Sequence, residues 1–283
     1  MPLISIGISF YNCQDYIEFA IKSVINQTYS NWELILINDG SQDSSFDIAK
    51  DLASKDKRIS LVNDNLNLGL ASRLNQMIDL SKGEYFVRFD ADDIMFPDRI
   101  QSQLLIFKDF ENIDIVSSSA VIIDEKNKVT GIRKSSSKLI KPLIGVPFIH
   151  PTIMGRISWF RMHKYKNGYN RAEDLELWLR TQHNLRFMTL EEPLIFYREG
   201  NVNLNNYIKS VKTTNILYKE YYGINKSFYF NLRIKNYLKI VIYKMFHLFN
   251  SKHLITQTRN KYLIKSKVNL DFEVAKISSI GIE

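Results

Sequence analysis

The first ninety residues alternate between two hydrophobic patterns, and this alternation limits the folds open to the chain. Continuous apolar runs typical of buried strands occupy residues 3–10, 32–39, 58–64 and 83–89. Between them, apolar residues recur at helical spacing in segments 17–26, 44–53 and 70–80. Strands that alternate with helices in this way predict a parallel sheet with crossover helices. Later in the chain, PFIHPTIM (147–154) is a short segment bounded by prolines, and LIFYRE (194–199) predicts a last strand.

Polar side chains follow three of these strands at the point where each strand ends. They are Tyr11 and Asn12 after the first, Asn38 and Asp39 after the second, and Asp90, Asp92 and Asp93 after the fourth. In open parallel sheets, ligands bind beyond the carboxyl ends of the strands. We therefore expect these side chains to meet at one edge of the sheet and to form a binding site there.

The segment FVRFDADDIMFP, residues 86–97, places three aspartates at the end of a hydrophobic strand. Partly buried carboxylates are costly unless a cation compensates them. Asp92 is therefore a candidate ligand for Mg²⁺ or Mn²⁺, which prefer hard oxygen ligands. Asp90 is a candidate for binding a sugar or ribose hydroxyl. The alternative is a solvated turn in which Asp93 caps the next helix.

Two further motifs suit a nucleotide. In NDGS, residues 38–41, Asp39 offers acceptors to a base or ribose; the alternative is an ordinary Asp-Gly turn. In DNLNLGLASRLN, residues 64–75, Gly69 allows close backbone approach, and a helix that begins near Leu70 offers free N–H groups to an anion. Arg73 would add charge near a diphosphate, unless it is merely solvated.

Several classes are disfavoured by what the sequence lacks. It has no GxGxxG or P-loop motif, no zinc-type Cys/His pattern and no GxSxG nucleophile elbow. The single cysteine, Cys13, excludes an intramolecular disulfide, suits a reducing compartment and is interpreted as a packing residue rather than a nucleophile. The N-terminus lacks signal-peptide features, and no uncharged apolar run is long enough for a spanning helix. We expect a cytoplasmic protein.

The positive charge is concentrated near the C-terminus. The whole chain carries a net charge of +8, yet residues 201–270 contain 13 Lys and Arg against a single acid, Glu220. Residues 228–249 mix aromatic, aliphatic and basic side chains, which favours a helix lying in the plane of an anionic membrane surface. The alternative is a helical appendage that packs on the main domain with a solvated basic face. No nucleic-acid motif accompanies the charge.

Taken together, the motifs resemble glycosyltransferase family 2, the inverting nucleotide-sugar transferases. The matching segments are ISIGISFYN (4–12), QTYSNWELILINDGSQDSS (27–45), NLNLGLASRLN (65–75), GEYFVRFDADD (83–93), HPTIMGR (150–156) and GYNRAEDLELWLR (168–180). The resemblance covers roughly residues 3–200, and the motifs occur in the family's order.

The resemblance implies an α/β fold of the GT-A type. Such a fold has a Rossmann-like, mostly parallel sheet with flanking helices. The catalytic domain is predicted to span residues 1–204, with a nucleotide-sugar half at 1–95 and an acceptor half at 96–204. Residues 205–283 are predicted to form a basic, aromatic helical appendage.

The resemblance also assigns roles to individual residues. It places the nucleotide-sugar against Ser9, Tyr11, Asn12, Asp39, Gly69, Arg73, Asp90 and Ala91, and the metal on Asp92. The Glu-Asp element corresponds to Glu173 and Asp174, with Asp174 as general base; both stand at a predicted helix start, where the helix dipole favours the ionised form. His150 and Arg198 are assigned to the acceptor or the diphosphate; the alternative for His150 is a side chain that structures the His-Pro-Thr turn.

The resemblance implies an inverting transferase that depends on Mn²⁺ or Mg²⁺. The expected donor is a UDP-linked hexose or N-acetylhexosamine. The expected acceptor is a lipid-linked or lipopolysaccharide-type glycan in bacterial surface polysaccharide assembly (O-antigen, capsule or lipooligosaccharide), reached at the inner face of the cytoplasmic membrane. Two alternatives stay open. A nucleotidyltransferase would show a Gly-rich basic loop after the first strand, which FYNCQDY lacks; a non-catalytic scaffold would not need the intact aspartates.

Overall fold

The computed structural model describes residues 1–169, 171–200 and 203–248. The strands in these ranges are β1 (Ile4–Phe10), β2 (Trp32–Asn38), β3 (Ile59–Asn63), β4 (Tyr85–Asp90), β5 (Ile94–Met95), β6 (Ile115–Ile123), β7 (Val129–Arg133), β8 (Met154–Arg156) and β9 (Phe187–Arg198). The helices are α1 (Ile17–Ile25), α2 (Ser45–Lys55), α3 (Leu70–Leu80), α4 (Arg99–Asp109), α5 (Ile157–Met162), α6 (Glu173–Thr181), α7 (Leu204–Tyr222) and α8 (Lys226–Leu248). One turn of 3₁₀ helix spans His150–Thr152.

The nine strands of the described residues form one mixed sheet in the order β3-β2-β1-β4-β8-β6-β9-β5, with β7 paired to β6. Strands β1 to β4 are all parallel, as the alternating pattern predicts. Antiparallel pairing is confined to the second half, where β8 lies between β4 and β6 and β5 pairs with β9. The sheet is therefore parallel throughout its first half and mixed in its second half, where β6 and β9 also pair in parallel.

The register of the first strands brings their polar ends together. Ser9 lies opposite Asp90, and Phe10 lies opposite Asn38. The ends of β1, β2 and β4 are thus level, which confirms the expectation that their polar residues meet at one edge of the sheet.

The core explains why these elements hold their positions. All nine residues of β6 are buried, as a strand covered on both faces requires. The apolar face of α6 buries Leu175, Trp178 and Leu179, and the Trp178 ring meets the Phe148 ring edge-on at 5.0 Å. This packing fixes the start of α6, where Glu173 and Asp174 lie.

Some helices and strands are not predicted by the sequence patterns. Strand β5 is only two residues long, too short to show a period. The stretch from His150 to Met162 contains a 3₁₀ turn, β8 and α5, of which the sequence indicates only a short Pro-bounded segment. Strand β9 begins at Phe187 rather than at 194, because β6 pairs with a stretch that includes Glu191, Glu192 and Pro193.

The described part of the C-terminal region is helical, as predicted. Helices α7 and α8 pack together through stacked Tyr207 and Tyr243 rings, 4.2 Å between centroids, and a 2.8 Å hydrogen bond from Asn236 to Asn215. Among the described helices, none combines the length and apolar character that crossing a membrane requires. The rest of the predicted appendage, residues 249–283, lies outside the described residues.

Candidate active site

A cavity of about 1150 Å³ opens at the carboxyl end of β4. Its lining gathers five of the predicted site residues: Asp90, Asp92, His150, Glu173 and Asp174. These residues come from β4, the loop after it, the 3₁₀ turn and the start of α6. The fold therefore brings together carboxylates that are more than eighty positions apart in sequence.

The DADD segment forms a tight carboxylate cluster. Single oxygens of Asp90, Asp92 and Asp93 lie within 4.8 Å of one another. Burial and the neighbouring Asp90 raise the pKa of Asp92 to about 6. Asp93 is buried, accepts a 2.8 Å hydrogen bond from the backbone N–H of Arg198, and leaves its Oδ2 without a partner. Asp93 is therefore not a solvated helix cap, and the helix α4 begins only after Asp98.

This cluster fits a divalent cation. Hard carboxylate oxygens are the ligands that Mg²⁺ and Mn²⁺ prefer. A buried carboxylate oxygen without a hydrogen-bond donor is costly, and a cation nearby would offset that cost.

Glu173 and Asp174 begin α6 and line the same cavity. Asp174 accepts a 2.7 Å hydrogen bond from the backbone N–H of Leu175. Burial and the charge of Glu173 nevertheless raise the pKa of Asp174 to about 7, and burial also raises the pKa of Glu173. The backbone N–H groups at the helix start do lower the pKa of Asp174, as expected, but burial and a like charge outweigh them. A carboxyl group that titrates near pH 7 is well placed for general base catalysis.

Arg88 is a site residue that sequence patterns miss. Its side chain is buried in the cavity wall, and its Nη1 donates a 2.6 Å hydrogen bond to Asp90. Its positive charge acts to lower the pKa of Asp92, Glu173 and Asp174. The signal was present as a lone arginine within the apolar run YFVRF. A buried charge in a strand implies a partner, but the pattern does not identify it.

Asp39 and Arg73 form a buried network beside the third helix. Asp39 accepts hydrogen bonds from the backbone N–H groups of Leu68 and Gly69 and from Nε of Arg73, at 2.8–3.1 Å. Three of the roughly four acceptor positions of its carboxylate are thus used, which leaves room for one further donor. Gly69 has φ +79°, a conformation that favours glycine, and open space around it.

The diphosphate role expected of Arg73 is wrong. Arg73 is fully buried, and its five N–H groups are taken up by Asp39, Asp64, Gln76 and the carbonyl of Leu66. The N–H groups at the start of α3 serve Asp39 in the same way, rather than being free for an anion. Arg73 therefore shapes the loop that carries Gly69.

The remaining nucleotide-side residues differ in what they offer. Ser9 lies beside Asp90 in the sheet, and Tyr11 is half exposed. Asn12, at φ +46°, bonds to Ser41 and Gln42 and so ties the loop after β1 to the loop after β2. The methyl group of Ala91 is buried in the core, so only the backbone of Ala91 is available to contact the nucleotide-sugar. The cavity lining given above includes none of these four residues, nor Asp39.

His150 and Arg198 have structural partners. His150 shares a 2.8 Å hydrogen bond with the hydroxyl of Tyr165, and burial holds the pKa of His150 well below its usual value, so its ring is neutral. Arg198 donates through Nε to the carbonyl of Asp92 and through Nη1 to that of Asp124, both at 2.8 Å. Arg198 thus holds the DADD loop in place, while its buried Nη2 has no hydrogen-bond partner among the described residues. The contact of Arg198 with a phosphate or the acceptor therefore stays a prediction.

Cys13 takes no part in this site. It packs against the core, and burial raises the pKa of its thiol to about 12. A protonated thiol is a poor nucleophile, which agrees with the packing role predicted for it.

The sequence model of one family, glycosyl transferase family 2, matches residues 5–172. The chain belongs to glycosyltransferase family 2. EpsE of Bacillus subtilis, which is named as a glycosyltransferase, is 36% identical over 209 residues, 70% of this chain and 73% of EpsE. The O-antigen biosynthesis glycosyltransferase WbnJ of Escherichia coli is 29% identical over 212 residues, 71% of this chain and 81% of WbnJ.

Solved structures share the fold of this family 2 enzyme. Staphylococcus aureus TarS, in complex with UDP-GlcNAc, superposes with a TM-score of 0.60 at 15% identity, over 77% of this chain and 67% of TarS. The mannosyltransferase PcManGT of Pyrobaculum calidifontis, in complex with GDP-Man and Mn²⁺, superposes with a TM-score of 0.60 at 14% identity, over 100% of this chain and 81% of PcManGT. The GT-A fold predicted from the sequence is confirmed.

Proposed function

We propose that this family 2 glycosyltransferase moves a hexose or N-acetylhexosamine from a nucleotide-sugar to a glycan acceptor, with inversion at the anomeric carbon. One observation carries the proposal. A single cavity is lined by Asp90 and Asp92 at the end of β4 and by Glu173 and Asp174 at the start of α6. The pair at the end of β4 would serve the nucleotide-sugar donor, and the pair at the start of α6 would serve the acceptor hydroxyl.

The reaction is a single displacement. Asp174 takes the proton of an acceptor hydroxyl as that oxygen attacks the anomeric carbon, and the bond from that carbon to the diphosphate oxygen breaks. The proton ends on Asp174 and the electron pair leaves with the nucleoside diphosphate. Glu173 keeps the pKa of Asp174 high through its charge, and Arg88 limits that rise.

Asp92, with Asp90 beside it, would hold Mn²⁺ or Mg²⁺. When bound, the ion supplies charge that stabilises the leaving diphosphate. The Mn²⁺ named with PcManGT supports this role. A carboxylate oxygen of Asp93 lies within 4.8 Å of one oxygen each of Asp90 and Asp92, and the unpartnered Oδ2 of Asp93 adds negative charge to this cluster.

UDP is the nucleotide we propose for the donor. TarS is described with UDP and with UDP-GlcNAc, whereas PcManGT is described with GDP-Man. Asp39 keeps one acceptor position for an N–H of the base, a contact that uracil and guanine both offer. The choice between them is therefore made by experiment.

A thermal-shift panel tests the donor site. UDP, GDP, dTDP and CDP are each added with Mn²⁺, Mg²⁺ or a chelator. We expect UDP with metal to raise the melting temperature; at ~100 times its dissociation constant a ligand adds about 2.7 kcal/mol of stability. Asp92→Ala should lose the metal-dependent part, while Asp47→Ala, an exposed aspartate on α2, should keep it. If only GDP raises the melting temperature, GDP and not UDP is the donor nucleotide. If no nucleotide raises the melting temperature, the proposal of a nucleotide-sugar site is wrong.

The acceptor we propose is a lipid-linked or lipopolysaccharide-type glycan in surface polysaccharide assembly. The name of WbnJ, an O-antigen biosynthesis glycosyltransferase, supports this class. Such an acceptor lies at the inner face of the cytoplasmic membrane, so the enzyme would work as a peripheral protein there.

Helix α8 supports a membrane location. Its apolar residues recur at three- and four-residue spacing and are 42–81% exposed: Phe230, Ile234, Tyr237, Leu238, Val241, Met245 and Leu248. At roughly 100° per residue, Asn236 and Tyr243 lie on the opposite face, where they contact α7. Arg233 and Lys244 border one side of the exposed stripe, Lys235 borders the other, and α8 contains no acid. An apolar stripe flanked by cations suits an anionic lipid surface.

Vesicle binding tests this location. The full chain is expected to bind vesicles that contain phosphatidylglycerol, to bind phosphatidylcholine vesicles more weakly, and to be released by salt. Leu238→Asn should weaken binding about tenfold by removing one apolar anchor, while Lys50→Gln, an exposed change on α2, should have no effect. Equal binding by Leu238→Asn and the native chain would count against α8 as the membrane face. Full retention at high salt would mean that the basic residues of α8 contribute little to binding.

A further inference from the structure

The cavity that holds the four carboxylates also has basic residues in its wall. Arg133, Lys134 and Arg171 all line it. Arg133 is compensated, since its Nη2 lies 2.6 Å from Glu199. Lys134 is 3.9 Å from Glu191, and both side chains are at least half exposed, so that pair contributes little. Lys134 and Arg171 therefore bring positive charges to the cavity that no close ion pair neutralises among the described residues.

Arg171 is held in an unusual conformation. Its φ is +66°, a region that side chains other than glycine, asparagine and aspartate seldom adopt. The hydroxyl of Ser210, on α7, donates a 3.0 Å hydrogen bond to the carbonyl of Arg171. Within the described residues, the guanidinium has neither an ion pair nor a hydrogen bond, and it is exposed. Surrounding contacts thus fix the backbone, while the charged end is available to a ligand.

The position of Arg171 relates it to the acceptor. It precedes the candidate base Asp174 by three residues and lies just before the start of α6, where its carbonyl is bonded to Ser210 of α7. The base must reach the acceptor hydroxyl, so groups that share its loop face the acceptor. The donor diphosphate belongs instead with Asp90 and Asp92. Polar residues of α7 that could bind sugar hydroxyls, Asn206 and Ser210, also line the cavity.

We propose that Arg171 and Lys134 bind an oxyanion of the acceptor, a phosphate or a carboxylate close to the hydroxyl that is glycosylated. The proposal rests on the proposed function and narrows its acceptor to an anionic one. A guanidinium matches the paired oxygens of phosphate and carboxylate. A neutral glycan needs no cation, whereas an anionic one entering a cavity lined by five acidic residues, Asp90, Asp92, Glu173, Asp174 and Glu199, needs compensation. The volume of about 1150 Å³ is larger than most single-ligand sites, which suits two substrates together.

The test measures binding of three probes to the full chain by calorimetry, with and without saturating UDP and Mn²⁺. The probes are N-acetylglucosamine 1-phosphate, glucuronic acid and the neutral methyl glycoside of N-acetylglucosamine. We expect at least one anionic probe to bind about tenfold more tightly than the neutral glycoside. Preference for the phosphate points to a phosphate-bearing acceptor, and preference for glucuronic acid points to an acidic sugar.

Arg171→Asn is the decisive variant, because asparagine tolerates positive φ better than arginine and should not reduce the melting temperature. It is expected to abolish the preference for the anionic probe without changing UDP affinity. Arg171→Lys should restore part of the preference, Lys134→Gln should reduce it, and Lys50→Gln should leave it unchanged. Equal binding of charged and neutral probes would overturn the proposal. So would an Arg171→Asn variant that loses UDP affinity, which would assign the arginine to the donor diphosphate. If the native chain does not bind UDP but still prefers the anionic probes, the proposed function is overturned and the anion site is not.

Discussion

Asp174→Asn is expected to reduce the rate of sugar transfer by roughly 10²–10⁴-fold, the usual contribution of a general base. Asparagine has nearly the same shape but cannot accept the proton of the acceptor hydroxyl. The nucleotide site on Asp39 and the carboxylates at the end of β4 are untouched, so nucleotide binding should be unchanged. Release of UDP from the donor in the presence of a glycan acceptor measures the rate, and the thermal-shift panel measures binding.

The pH dependence follows from the pKa of about 7 for Asp174. The base works only when ionised, so kcat/KM should rise as the pH increases through 7 and level off above it. In the unfolded chain this carboxyl titrates near 3.8, and in the folded enzyme near 7. The folded state therefore holds the proton more tightly, and this group's contribution to stability falls as the pH rises from about 4 to about 7.

This linkage gives Asp174→Asn a second signature. At pH 8 the native enzyme carries a half-buried charge that the asparagine variant lacks, so the variant should have the higher melting temperature. Near pH 4 the folded carboxyl is protonated, and the two proteins should melt together. Glu173→Gln is the matched control. Removing the neighbouring charge should lower the pKa of Asp174, so the rise of kcat/KM with pH should occur at a lower pH.

The outcomes separate the remaining interpretations. Unchanged transfer by Asp174→Asn would exclude Asp174 as the base. Nucleotide binding without any transfer by the native enzyme, tested with acceptors of both charge types, would favour a scaffold with a transferase fold. A difference in melting temperature that is the same at pH 4 and pH 8 would mean that Asp174 does not titrate between these values.

Local patterns in the sequence predicted the elements but not their long-range partners. The bounds of α3 are those that the apolar spacing predicts, residues 70–80, because that helix carries its own periodic signal. Strand β9 is predicted to begin seven residues late, since Thr189, Glu191 and Glu192 interrupt the apolar pattern of its first half, which is specified by pairing with β6. Strand order in the second half depends on such pairings, which no local period records.

The same distinction applies to the site. Asp90, Asp92 and the Glu173–Asp174 pair were predictable, because carboxylates at a strand end and at a helix start are visible motifs. The fixed roles of Arg73 and Arg198 were not, since their partners are distant in sequence: Arg73 binds Asp39, and the backbone of Arg198 binds Asp93. The raised pKa of Asp174 was not predictable for a related reason. The helix dipole is a local effect, whereas burial depends on the whole fold.

Arg73→Leu is expected to lower the free energy of unfolding by about 3–5 kcal/mol, the usual cost of removing one partner of a buried ion pair. Arg73 is fully buried, with Nε 2.8 Å from Asp39 and Nη2 2.7 Å from Asp64. Leucine fills much of the space but leaves the buried Asp39 carboxylate without its cation. Denaturant unfolding followed by fluorescence measures the change, with the midpoint and slope fitted together.

Two comparisons make this prediction specific. Lys55→Leu breaks the exposed pair with Asp51 and should cost at most about 0.5 kcal/mol. Adding Asp39→Asn to Arg73→Leu should recover part of the lost stability, since it removes the uncompensated charge while asparagine still accepts an N–H from Leu68 or Gly69. A cost for Arg73→Leu within 1 kcal/mol of that for Lys55→Leu would show that solvent reaches Asp39 once the arginine is gone. In that case the Asp39 carboxylate would not be held in a fixed position to bind the nucleobase. Another residue at the strand ends would then have to make the nucleotide contact assigned to Asp39.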